Sequence, residues 1–188
     1  MKKIFFTILI IALVSFAKAQ IQTFKLTPFG FINSADSSKN YVVINIDGKS
    51  KAELYKNSLI YFSKMYVSAK DVISTVEGES MSLNGVAKNS IQRTSIHIFS
   101  NNYTLNLEFK DGKIKVSAPS FRLTSFSAGH EQTMHLVYGG VSFDGSDFGI
   151  YNKKGGLKYE KTKYDLENFF NDYLANLQAE LQKKQEDW

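Results

Sequence analysis

Residues 103–118 read YTLNLEFKDGKIKVSA, two runs of alternating apolar and polar residues on either side of an Asp-Gly pair. Alternation with a period of two is typical of a strand with one buried face, and Asp111-Gly112 between two such runs predicts a type I′ hairpin turn. That turn would set five cross-strand pairs: Phe109–Ile114, Leu107–Val116 and Leu105–Ala118 on one face, Glu108–Lys115 and Asn106–Ser117 on the other. The hairpin therefore predicts an antiparallel sheet that is apolar on one face and polar on the other, with helices covering only the apolar face.

Two amphipathic helices are predicted to provide that cover. Ser50 and Glu53 match the S-x-x-E capping box, and the apolar residues after them recur at helical spacing, which predicts a helix over residues 51–66. A last helix is predicted to begin near Thr162 as its N-cap. Its apolar stripe would contain Leu166, Phe169, Phe170, Tyr173, Leu174, Leu177 and Leu181.

The rest of the chain supplies strands and loops around these elements. Tyr41–Ile46 is a β-branched run that predicts a strand, and several more strands are predicted between Val72 and Phe126. The order strand, helix, strands, helix predicts an α+β fold, a curved antiparallel sheet with two helices on one face. We expect residues 41–188 to form a single domain, preceded by a polar lead-in over residues 20–40.

The first 19 residues have the pattern of a secretory signal peptide. Lys2 and Lys3 precede the apolar run Ile4–Phe16, and Ala17-Lys18-Ala19 supplies a small-x-small cleavage site. The run is shorter than the roughly 20 residues that span a bilayer, which disfavours a membrane anchor. We therefore predict an exported protein, periplasmic or secreted, with its mature chain beginning at Gln20 and no membrane-spanning segment after cleavage.

Charge and composition exclude several classes of function. Three of the 23 basic residues leave with the signal peptide and none of the 18 acidic ones does, so the mature chain has a net charge of only +2. That balance gives little field to attract nucleic acid, which we do not expect as a partner. The chain has no cysteine, so disulfides, a thiolate nucleophile and cysteine metal sites are excluded.

Five short stretches resemble those of a known bacterial exported family. They are Gly48–Tyr55 (GKSKAELY), Tyr61-Phe62, Asp71-Val72-Ile73, Leu83-Asn84-Gly85 and Phe109–Lys113 (FKDGK). In this order they resemble domain-of-unknown-function family number 4468, described as having a fold like that of the TATA-binding protein (TBP). The resemblance covers roughly residues 41–126. The chain departs from it at Tyr61, where a tryptophan is expected, and in its glycine-rich stretch at 127–160. The resemblance implies a TBP-like fold and export, and it brings no catalytic residues.

Polar clusters with a superficial catalytic or metal-binding pattern do not meet the geometry that such sites require. His130 and His135 are five residues apart, whereas a zinc-protease helix needs a spacing of four, and we expect a solvated loop there. His97 has no accompanying G-x-S-x-G elbow, and neither Gly139-Gly140 nor Gly155-Gly156 continues into a phosphate-binding helix. The sequence thus predicts no catalytic residues, no metal site and no cofactor.

Residues 127–160 are the predicted functional region. They hold seven of the twelve glycines, and we expect a long loop region with a short strand pair around Met134–Val141. Four aromatic residues lie between the glycines and are the candidate binding residues: Tyr138, Phe143, Phe148 and Tyr151. The alternative is that these rings cover an edge of the core.

The leading functional hypothesis is a non-enzymatic binding or envelope-associated module whose ligand or partner is unknown. One alternative is a hydrolase that acts on envelope carbohydrate or peptide, and another is a structural subunit of a surface assembly. Two polar side chains within hydrogen-bond reach in a concave pocket would favour the enzyme, and an aromatic groove without them would favour the binding module. A flat apolar patch buried in a dimer would favour the assembly subunit.

Overall fold

The hairpin at the centre of the chain forms as predicted and organises the sheet around it. The computed structural model describes residues 22–127, 129–140, 142 and 145–183. Its strands are β1 (Phe24–Thr27), β2 (Gly30–Asn33), β3 (Tyr41–Asn45), β4 (Ile73–Val76), β5 (Ser80–Gln92), β6 (Ile98–Lys110), β7 (Lys113–Ser117), β8 (Ser120–Ser127), β9 (His130–Val137) and β10 (Asp147–Tyr151). Its helices are α1 (Lys51–Met65), α2 (Ala69–Val72) and α3 (Glu160–Gln182). The predicted α+β class is confirmed.

Strand β6 is the centre of the sheet, and its two halves have different neighbours. One edge pairs with β5, which pairs with β4. The other edge pairs with β7 up to Leu107–Val116 and then with β8 from Thr104–Ser120, one residue out of register. Pro119 lies at this break, where its lack of an N–H removes a ladder hydrogen bond. Beyond the break the sheet divides, because β3 pairs with β7 whereas β9 pairs with β8, and β10 with β9.

The predicted register of the hairpin is correct on the turn side of this break. The pairs Phe109–Ile114, Leu107–Val116 and Glu108–Lys115 form, whereas Leu105–Ala118 and Asn106–Ser117 lie beyond the end of the ladder. The turn type is a correction. Gly112 has a φ of 71° but Asp111 is not left-handed, so the turn is not of type I′.

The turn is instead shaped by contact with the start of α1. The Asp111 carboxylate accepts a hydrogen bond from the backbone N–H of Lys51 at 2.7 Å, and the Gly112 N–H donates to the Lys49 carbonyl at 2.8 Å. The capping box of Ser50 and Glu53 is present as predicted. The stretches GKSKAELY and FKDGK thus meet at one structural junction, which anchors α1 to the sheet.

Helices α1 and α3 lie on the apolar face of the sheet, as predicted. Side chains of α3 such as Leu166 and Phe170 are fully buried, as are Leu107 and Ile114 of the hairpin. The predicted N-cap of α3 is wrong. The helix begins at Glu160, and the buried Thr162 hydroxyl donates to the Gln92 carbonyl at 2.8 Å, which ties α3 to the end of β5.

Residues 22–40 are part of the packed structure, although the sequence predicted a polar lead-in. Strands β1 and β2 form a hairpin, and Phe24, Leu26 and Phe31 are buried in the core. Two side chains of α3 replace a neighbouring strand. Asn171 accepts from the Phe24 N–H at 2.7 Å, and Glu167 accepts from the Leu26 N–H at 2.7 Å.

The predicted loop region at 127–160 contains two strands. β9 occupies residues 130–137, where a solvated loop was expected around His130 and His135, and it pairs in parallel with β10 at residues 147–151. The predicted signal peptide at 1–19 lies outside the described residues. No helix in the described part of the chain is long and apolar enough to cross a membrane.

Candidate functional site

The predicted binding residue Tyr151 is a core residue. Its side chain is only 5% exposed, and its hydroxyl donates to the Leu26 carbonyl at 2.7 Å. Burial raises the pKa of Tyr151 to about 12. This ring fastens β10 to the β1–β2 hairpin and is not available to a ligand.

The other predicted aromatic residues are placed apart from one another. Phe148 packs edge-to-face against Phe99, and the Arg93 guanidinium lies 3.8 Å from its ring centroid. Tyr138 is half-buried and stacks on His135 with ring centroids 5.4 Å apart. Phe143 lies outside the described residues. Among the three that are described, no ring contact joins one to another.

The nearest approach to a catalytic arrangement is at the start of β10. His135 Nε2 lies 2.6 Å from Asp147 Oδ1, and the Ser146 hydroxyl donates to Asp147 Oδ2 at 3.3 Å. The carboxylate therefore lies between the imidazole and the hydroxyl. A nucleophilic triad needs the imidazole in the middle, so that it can take the hydroxyl proton. This order of side chains does not activate a serine.

Metal binding finds no support in the described segments, which contain no group of three or more His, Asp or Glu side chains placed to hold an ion. His130 and His135 lie on β9 five positions apart, so they face opposite sides of the strand. His97 Nδ1 is hydrogen-bonded to the Thr94 hydroxyl at 2.9 Å within a local turn.

Three tyrosine hydroxyls meet under the helices, a cluster that the sequence analysis missed. Tyr66, Tyr103 and Tyr173 come from the end of α1, from β6 and from α3, and their oxygens are 2.5–2.9 Å apart. Burial is the main cause that raises the pKa of Tyr66 and of Tyr173, so both stay protonated at neutral pH. Gly85 makes room for the cluster, since a Cβ there would lie 2.5 Å from the Tyr103 ring. The cluster connects the end of α1, β6 and α3 and has a structural role.

No described helix covers the polar face of the sheet, which carries a groove of about 450 Å³ at its hairpin end. Three strands and one preceding residue line it: Gln22, Val43, Asn45, Glu108, Lys110, Lys113 and Lys115. We call it the lysine groove. Its volume lies in the range of small-ligand pockets. The alternation of residues 103–118 puts the four that belong to the hairpin on the polar face, so the sequence contained the signal for those four.

The ion pairs of the lysine groove are uneven. Lys115 Nζ lies 2.9 Å from Glu108 Oε1 and 5.3 Å from the Tyr41 ring centroid, so its charge has partners. Lys110 and Lys113 are directly opposite each other across the hairpin, and neither has an ion pair with any described residue. Like charges in directly opposite positions destabilise a sheet.

A mostly antiparallel sheet with helices packed on one face defines the class of the protein, an α+β domain with a TBP-like fold. Residues 41–124 match the model of a family described as a domain of unknown function (DUF4468) with TBP-like fold. The resemblance to this family noted in the sequence is therefore confirmed.

Two solved structures are similar to the chain. One is a TBP-like protein from Parabacteroides distasonis, with 14% identity, a TM-score of 0.51, and coverage of 74% of this chain and 90% of that one. The other is a DUF4468 family protein from Bacteroides ovatus, with 14% identity, a TM-score of 0.51, and coverage of 79% and 88%. At this identity the likeness establishes the fold alone. Among curated proteins, none matches the chain.

Proposed function

We propose that the protein is an exported, non-catalytic binding module and that its binding surface is the open polar face of the sheet. The observation that supports this most is the lysine groove, a concavity lined by hydrogen-bonding side chains on a face that no helix covers. The predicted aromatic residues that are described are engaged within the fold, which moves the proposed surface from residues 127–160 to the hairpin end of β6 and β7.

A hydrolase is the weaker proposal because no polar cluster described above combines an activated nucleophile with an enclosed pocket. The His135–Asp147 pair is about 40% exposed on each side chain and has the order that does not activate Ser146. Substitution of His135 by Gln should therefore leave ligand binding at the open face unchanged.

The binding role is tested by retention of envelope material on the immobilised exported protein. Asn45→Trp would fill the lysine groove without changing its charge, and the proposal expects it to abolish retention. Ser63→Trp is the matched control, since Ser63 is exposed on α1 on the other side of the sheet. Equal retention by wild type and Asn45→Trp would overturn the choice of surface.

Export is tested by intact-mass analysis of the protein recovered from the envelope fraction. Cleavage after Ala19 is expected from the small-x-small site. A product that retains Met1–Ala19 would contradict the export proposal.

Nucleic acid is not the proposed ligand, despite the TBP-like fold. Proteins that bind the minor groove through a sheet insert apolar wedges between base steps. The predicted polar-face residues of the hairpin are Thr104, Asn106, Glu108, Lys110, Lys113, Lys115 and Ser117, which include no such wedge. We expect DNA to bind no tighter than about 10 μM at physiological salt, against ~10⁻⁸ M for specific binders. A submicromolar gel shift would contradict this.

A further inference from the structure

We infer that the lysine groove binds an oxyanion, a carboxylate, sulfate or phosphate group carried by a small polar ligand, between Lys110 and Lys113. This inference rests on the proposed binding role of the open face and names the chemistry of its ligand. The supporting observation is that the positive charges of Lys110 and Lys113 have no acidic partner among the described residues.

The two lysines are opposed without a neutralising acid. They flank the Asp111-Gly112 turn as a directly opposite pair, so each brings its charge toward the other. The two nearest acidic side chains of the hairpin are already engaged. Glu108 pairs with Lys115, and Asp111 accepts from the Lys51 N–H at the start of α1. An anion placed between the two ammonium groups would remove this repulsion.

The groove also has a polar wall that donates hydrogen bonds. Gln22 reaches over the edge strand β3, where its Oε1 accepts from the Val43 N–H at 2.9 Å and from the Asn33 amide at 3.0 Å. Because both bonds use its oxygen, the Gln22 amide N–H groups have no partner among the described residues. Asn45, opposite Lys113 on β3, adds a second amide.

This set of groups selects the class of ligand. Lysine has three N–H donors and no acceptor, and the free part of Gln22 is also a donor. Such a surface stabilises an acceptor-only group, which an ionised carboxylate, a sulfate or a phosphate is. A cation is disfavoured by both ammonium groups, and a purely apolar ligand would leave all of these donors without partners.

The test is titration of the exported protein at low ionic strength, followed by amide chemical shifts. The probes are sodium sulfate, inorganic phosphate and glucuronate, with sodium chloride at matched ionic strength and glucose as the neutral counterparts. We expect saturable shifts at Lys110, Lys113 and Asn45 with at least one oxyanion, and none with glucose. Response to sulfate or phosphate alone would assign tetrahedral oxyanions, and response to glucuronate would assign sugar acids. Either result supports the inference.

The double variant Lys110→Gln, Lys113→Gln should weaken oxyanion binding at least about tenfold, since each charged hydrogen bond is lost. Lys56→Gln is the matched control, because Lys56 is exposed on α1 on the opposite side of the sheet. Unchanged affinity in the double variant, or an equal loss in the control, would overturn the inference. Retention of envelope material that is blocked by Asn45→Trp but insensitive to the double variant would overturn the oxyanion and leave the binding module intact.

Discussion

The aromatic residues of the 127–160 region and the lysines of the β6–β7 hairpin differ in whether the fold already uses them. Tyr151 donates to Leu26, and Phe148 packs between Phe99 and Arg93. Lys110 and Lys113 instead lie directly opposite each other as like charges, and neither has an acidic partner among the described residues. A side chain that stabilises the fold is explained by its packing, whereas one that costs stability needs another explanation. The partners of a residue, more than its type, therefore indicate a binding surface.

The largest expected effect concerns the aromatic residues that stabilise the fold. Tyr151→Ala should destabilise the protein by about 3–5 kcal/mol, because it removes a buried ring and leaves the Leu26 carbonyl without its donor. Chemical denaturation monitored by circular dichroism measures the change.

Two further variants sharpen this first result. Tyr151→Phe keeps the ring and should cost about 1–3 kcal/mol for the lost hydrogen bond alone. Tyr138→Ala, at a half-buried position directly after the neighbouring strand β9, should cost less than Tyr151→Ala. If Tyr151→Ala left stability unchanged while ligand retention disappeared, the aromatic region would be the binding surface after all.

Alkaline pH should unfold the protein through the tyrosine cluster. Burial raises the pKa of Tyr66 and Tyr173 in the folded state, whereas an unfolded tyrosine titrates near pH 10. The protonated tyrosines therefore leave stability intact below about pH 10, and stability falls as the pH rises above it, because the unfolded state releases its protons first. Melting temperatures between pH 8 and 11 measure this loss.

The control for the alkaline limb is the double variant Tyr66→Phe, Tyr173→Phe. It should be less stable at pH 8, where it lacks the hydrogen bonds, and its melting temperature should decline less steeply above pH 10. A decline as steep as that of wild type would show that other groups titrate.

The elements that were predicted correctly are those whose information is local. The capping box of Ser50 and Glu53 specifies the start of α1 within a few residues, and the alternation on either side of Asp111-Gly112 locates the hairpin. The turn type was predicted wrongly because contact with the start of α1 shapes it. The β1–β2 hairpin was missed because Phe24 and Leu26 obtain their hydrogen-bond partners from α3, more than 140 positions away in the chain. Short alternation without such partners does not distinguish a strand from a polar lead-in.

The candidate site was missed for a related reason. Lys110 and Lys113 were visible in the sequence, yet whether they have ion pairs depends on Glu108 and Asp111, whose partners only the structure identifies. Tyr151 was misassigned because its buried environment is built by β1, a strand that was not predicted. The tyrosine cluster needs three separate elements to meet.

An intermediate effect on stability is expected at the contact between the hairpin turn and the start of α1. Asp111→Ala should destabilise the protein by about 1 kcal/mol, because the Lys51 N–H at the start of α1 loses its acceptor. Asp111→Asn keeps an acceptor oxygen and should recover most of the loss. Thermal melts of both variants provide the measurement, and an equal loss in the two would indicate that the charge, not the cap, is what matters.

The smallest expected effect concerns the two lysines of the hairpin that lack an ion pair. Lys110→Thr should raise stability by a few tenths of a kcal/mol, about 0.2–1, because it removes the repulsion from Lys113. The matched variant Lys115→Thr should not be stabilising, since it loses the ion pair with Glu108. The gain in Lys110→Thr should shrink in high salt, which screens exposed charges. Loss of stability in Lys110→Thr at low salt would show that the pair is part of the scaffold.

The hydrogen bonds between β1 and α3 have a consequence for the timing of folding. The edge of β1 that does not pair with β2 obtains its acceptors from α3, through Glu167 and Asn171. Domains that begin to fold at their N-terminus during synthesis rely on local partners, and this one has to wait for its C-terminal helix. If the proposed export is correct, a translocation channel that admits only an extended chain would receive this protein before β1 and α3 can meet. The hydrogen bonds between β1 and α3 would then form only after the chain has crossed the channel.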